Sequence, residues 1–128
     1  MREFEKIKYK PNPIIDGGGV YENAAGLILH EFLKRRKVDA TRTLVMTVSV
    51  DELKHTGKLD DSCSDDPAEF FSSVFDAFSE HPLKTEIDHD GEQLLLNVFM
   101  VKSILIVNDS QRGEICFSDV FLNLLPSP

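Results

Sequence analysis

At 128 residues, 41 % hydrophobic and 28 % charged, the chain is long enough to bury one core. Its large apolar side chains, nine of them Phe, exclude disorder throughout. The formal net charge of −8 argues against nucleic acid and anionic membranes as partners, because both repel an acidic surface.

In chain order, Phe4, Ile7 and Tyr9 alternate roughly with charged residues and predict an edge strand ended by Pro11 and Pro13. Gly17-Gly18-Gly19 then predicts a flexible turn. Tyr21, Ala24, Ala25, Ile28, Leu29 and Phe32 recur at three- and four-residue spacing, which predicts a helix from Val20 to about Lys37. Its basic end, Lys34-Arg35-Arg36-Lys37, suits the negative end of the helix dipole.

Thr43 to Val50 is β-branched and uncharged and reads as a central strand. Asp51 to Lys54 fits one helical turn, and the rest of the stretch to Asp66 reads as an acidic loop. Asp66-Pro67-Ala68-Glu69 carries the clearest helix start: a capping acid, a proline at the first position and an acid three residues after the cap. The helix it opens bears Phe70, Phe71, Val74, Phe75 and Phe78 and ends at His81-Pro82.

Asp90-Gly91 between two apolar runs predicts a hairpin. Ser103–Val107 and Glu114–Phe117 predict two further strands, and Ser118-Asp119 caps a short last helix. Helices first and strands later predict a single α+β domain over residues 1–128. Its expected sheet is mainly antiparallel, of about five to six strands, packed by two main helices and a short C-terminal one.

Met1 to Lys6 carry charge where a signal peptide needs an apolar stretch. No apolar run nears the ~20 residues of a membrane span. Two cysteines, Cys63 and Cys116, make no disulfide framework. A cytoplasmic protein with reduced thiols is the expectation. Cys116, in an apolar run, reads as a small buried hydrophobe.

No pattern calls for catalysis, a cofactor or a metal. Asp16-Gly17-Gly18-Gly19 lacks the spacing and the lysine of a phosphate loop. Asp60 to Asp66 lacks the alternating ligands, central Gly and terminal Glu of a calcium loop. His30, His55, His81 and His89 form no metal-binding pair, and the carboxylates around Cys63 disfavour its thiolate.

Charge distribution carries the functional expectation. Residues 51–90 hold twelve acidic and three basic residues, a net of −9, whereas residues 1–42 hold nine basic and six acidic, a net of +3. The leading expectation is a non-enzymatic interaction protein whose acidic middle segment binds a basic protein. An immunity or inhibitor protein neutralising a basic toxin or enzyme is its most concrete form. The residues expected to contact the partner are Asp51, Glu52, Asp60, Asp61, Asp65 and Asp66, joined by Asp88 and Asp90 if the hairpin folds over them. The alternative is a small enzyme or ligand-binding domain with a pocket between the sheet and the Phe-rich helix, using His30 or His81 as its polar group. Oligomeric state stays open.

Overall fold

A computed structural model describes residues 15, 17–39 and 44–125 of the chain. Its elements run α1 (Val20–Asp39), β1 (Val45–Ser49), α2 (Val50–His55), α3 (Pro67–Glu80), β2 (Leu83–His89), β3 (Glu92–Val98), β4 (Val101–Val107), β5 (Arg112–Phe117) and α4 (Asp119–Leu124). The edge strand expected at Phe4–Tyr9 lies outside the described residues.

Gly19 opens α1. Its carbonyl accepts the Asn23 N–H at 3.0 Å, and its own N–H donates to Glu22 Oε1 at 3.0 Å. This is the reciprocal half of a capping box, in which an acid in the first turn satisfies an amide the helix leaves unpaired. The stripe of Ala24, Ala25, Ile28, Leu29 and Phe32 is buried, and the helix runs on to Asp39, slightly past the expected end. The start of α3 is as expected: Asp66 Oδ2 accepts the Glu69 N–H at 3.3 Å, with Pro67 in the first position. Its buried face is Phe70, Phe71, Val74, Ala77 and Phe78, while Phe75 is only half-buried.

Among the described residues the strands are all antiparallel, but they form two sheets rather than one of five to six strands. One has three strands in the order β1-β5-β4, the other is the β2-β3 hairpin. β3 and β4 are neighbours in sequence, yet each pairs elsewhere. The break falls at Phe99-Met100: Met100 is buried, and its carbonyl accepts the Ser118 N–H at 2.9 Å. A register shift between Val101 and Ser103 accompanies it on β4. Anchoring Met100 inside redirects the chain, so β4 leaves the hairpin and joins β5.

The core lies between the helices and one face of the three-stranded sheet, where Met46, Val48, Ile115 and Phe117 point inward. Alternation then turns Val45, Thr47 and Leu105 outward, and all three are exposed. Phe117 is the hub. Its ring stacks on Phe32 at 3.7 Å and meets Phe78 edge-on at 6.2 Å and Phe121 at 6.1 Å. Gly113 on β5 is glycine for lack of room: a Cβ there would stand 2.6 Å from the Phe71 ring. Close sheet-to-helix approach at this point sets α3 down on the sheet.

The cysteines exchange the environments their neighbours in sequence indicate. Cys63 is buried although its flanks are polar, whereas Cys116 is half-buried because Ile115 and Phe117 on either side take the core face. Both are free. Among the described residues no helix is long and apolar enough to cross a membrane.

Candidate functional site

The acidic segment is built around α2 and the loop that follows it. Ser49 caps α2, with its Oγ accepting the Glu52 N–H at 3.0 Å, so Asp51 and Glu52 fall in the first turn. There their charges favour the positive end of the helix dipole. Glu52 also faces Arg35 of α1 at 3.9 Å, and Arg35 in turn pairs with Glu31 at 3.2 Å and donates to the Thr47 carbonyl. The basic end of α1 thus offsets part of the acidic start of α2.

In the loop, Asp60 Oδ1 accepts both the N–H (2.8 Å) and the hydroxyl (2.5 Å) of Ser62. These bonds, the hydroxyl's first, hold the Asp60 carboxyl below the ordinary carboxylate range. Asp65 pairs with Lys54 of α2, and Asp66 caps α3. Asp51 and Asp61 are exposed. The loop is anchored from beneath by buried Leu59 and Cys63, by the Ser64 N–H donating to Tyr21 Oη at 3.0 Å, and by Cys63 Sγ against the Val20 carbonyl at 3.8 Å. Burial first, and the Asp60 charge second, pushes the Cys63 thiol up, which leaves it a poor nucleophile.

Of the eight acidic residues expected from the sequence, Asp51 and Glu52 lie on α2 and Asp60, Asp61, Asp65 and Asp66 on the loop after it, and the Lys54–Asp65 pair ties that loop back to α2. Several of them are occupied by local structure. Asp88 and Asp90 belong instead to the hairpin end. Asp90 and Gly91, at φ of 50° and 84°, make the two-residue turn whose twist matches the strands it joins.

A second acidic feature lies on α3. Glu69, Asp76 and Glu80 lie at i, i+7 and i+11 on α3, a spacing that brings them to one side of a helix with ~100° per residue. All three are exposed, and α3 contains no Lys or Arg. The period was readable, but the phenylalanine stripe on the opposite side dominates the segment. Glu22 of α1 joins this face: with Asp76 and Glu80 it lines a shallow cleft of about 360 Å³ that also includes Tyr21 and Ser73.

Glu22 also ties the helices together, its Oε2 lying 2.5 Å from His81 Nε2 at the end of α3. The Gly19 amide, and after it His81, holds the Glu22 carboxyl below its ordinary value. A carboxylate lowered in the folded state stabilises the fold above its unfolded value and loses that contribution as pH falls through the folded one. Glu22→Gln, which keeps an acceptor for Gly19 but no charge, is therefore expected to melt below the wild type at neutral pH. The gap should close as pH drops below about 4.3. Thermal melts at stepwise pH check this, and a gap that persists unchanged in acid would remove the charge from the account.

Neither histidine of the pocket alternative occupies the groove beside α3. That groove, about 680 Å³, is lined by Phe75, Leu96, Val98, Phe99, Val101 and Val120, with Ser79, Asn97, Lys102 and Ser118. His30 is exposed and borders a separate cleft of about 290 Å³ between α1 and α2. His81 contacts Glu22. Among the described residues no group of three or more His, Cys, Asp or Glu side chains could hold a metal ion. Compared with family models, curated proteins and solved structures, the chain matches none.

Proposed function

We propose that the protein is a non-enzymatic binding module whose acidic side receives a basic protein. Neutralising a basic toxin or enzyme, as an immunity or inhibitor protein does, is the most concrete form of this reading. The observation that carries it is the solvent face of α3: Glu69, Asp76 and Glu80 line up with no cation in the helix. The acidic region at Asp51, Glu52, Asp60, Asp61, Asp65 and Asp66 leads into that face at Asp66. Together they would steer a cationic partner into contact and hold it in register.

Affinity capture of the tagged protein from its native lysate, at low and high salt with mass-spectrometric identification, tests the reading. A stoichiometric basic partner that high salt releases is the expected result, because exposed charge pairs are screened over about 8 Å at physiological ionic strength. Recovery of no basic partner at either salt would remove the reading.

A further inference from the structure

We propose that the partner contacts this protein through a basic amphipathic helix, with its cationic side on the acidic stripe of α3 and its apolar side in the groove alongside. The inference rests on the acidic-face reading above and specifies the partner's chemistry. Three observations lead to it.

The stripe and the groove share one helix. Phe75 and Ser79 form the α3 wall of the groove, and each directly precedes a stripe residue, Asp76 and Glu80. One residue is ~100° of helical rotation, so the apolar wall and the acidic stripe are adjacent strips of the same surface. A segment laid along α3 meets both.

The groove is an open trough rather than an enclosed chamber. Phe99 at its β3–β4 corner is 61 % exposed. Small-molecule sites bury roughly 70–90 % of a drug-sized ligand, which an open trough does poorly. An amphipathic helix set into a hydrophobic groove covers such a surface along its length.

Charge selects the occupant. The groove's lining holds one cation, Lys102, which comes from β4 and not from α3, and no carboxylate. Basic residues are thereby favoured on the α3 side and disfavoured on the other, which is the pattern of a helix with one cationic and one apolar side. A second copy of this chain is the poorer occupant. It carries the same net charge of −8, so two copies repel one another.

The test uses the full chain and three synthetic peptides of about 18 residues, long enough to form a helix on binding. One is an amphipathic Leu/Lys helix, the second has its leucines replaced by serine, and the third has its lysines replaced by glutamate. Affinities are read by calorimetry at about 0.1 M salt. The Leu/Lys peptide should bind at least tenfold more tightly than either of the others. Phe99→Ser should abolish its advantage over the Lys/Ser peptide, and Val120→Thr, a nearly isosteric change at the other wall, should reduce it should the first variant fail to fold.

Equal binding of the Leu/Lys and Lys/Ser peptides would overturn the inference and leave the acidic-face reading standing. Equal binding of the Leu/Lys and Leu/Glu peptides would overturn both, pointing to a groove that reads apolar surface alone. No binding by any peptide would also overturn both. A sedimentation mass that doubles in the absence of peptide, and falls to one chain with Phe99→Ser, would assign the groove to a second copy.

Discussion

Phe117→Ala is expected to lower stability by about 3–5 kcal/mol, the usual cost of emptying a buried aromatic site. The ring is fully buried on the central strand of the three-stranded sheet. It contacts Phe32 of α1, Phe78 of α3 and Phe121 near the C-terminus, so its loss leaves a void bordered by three helices at once. Such a void collapses poorly, because filling it would require α1, α3 and α4 to move together over a sheet that β1 and β4 hold on both sides. For a domain of this size the melting temperature should fall by roughly 10–20 °C. Urea unfolding checks it: the midpoint should drop while the slope stays constant, as for a loss of stability without a change in the surface exposed. Leu105→Ala, on the open face and 60 % exposed, is the control and should stay within about 0.5 kcal/mol. A Phe117→Ala loss no larger than that of Leu105→Ala would mean the core is not centred where the aromatic contacts place it.

The helices of this core were legible from the sequence because their signals are local. The capping residues Asp66 and Glu69, the proline between them and the phenylalanine stripe each act within one or two turns, and they recur unchanged in α3. The Asp90-Gly91 turn is equally local, since only residues tolerating positive φ make it. The split into two sheets was not legible. It depends on where Met100 is buried and on which strand β4 meets, and both are long-range outcomes that no window of sequence contains. Leu94-Leu95-Leu96, in the apolar run that follows Asp90-Gly91, shows the same limit: Leu95 is 80 % exposed because its register partner is Glu86, on the outer face of the hairpin.

The candidate site was legible in composition and less so in arrangement. The excess of negative charge between residues 51 and 90 is plain from counting. Counting does not show that Asp60 is engaged in a turn, Asp65 by Lys54 and Asp66 in capping a helix. Nor does it weigh Asp76 and Glu80 properly, since each stands alone in the sequence with no acidic residue beside it. Folding spaces them along one exposed side, and the same folding places an apolar groove next to it.

Asp76 and Glu80 therefore offer the clean test of steering by the acidic face. Reversing Asp60, Asp61, Asp65 and Asp66 together would alter charge but would also remove the cap of α3, a loss of about 1 kcal/mol by itself, and break the turn at Asp60. Any slower association could then be ascribed to a disturbed fold. Asp76→Lys with Glu80→Lys touches no cap, and a lysine near the end of α3 suits the helix dipole. Against a purified basic partner the double variant should associate on the order of tenfold or more slowly at low salt, with dissociation little changed. The deficit should shrink as salt rises, because screening shortens the reach of the charges that were reversed. Glu92→Lys with Asp109→Lys, two exposed positions outside α3, makes the same change in net charge and should cost far less. Stopped-flow association rates over a salt series compare the two. Equal losses in both variants would mean that the partner responds to the total charge of the protein and that α3 has no special part in guiding it.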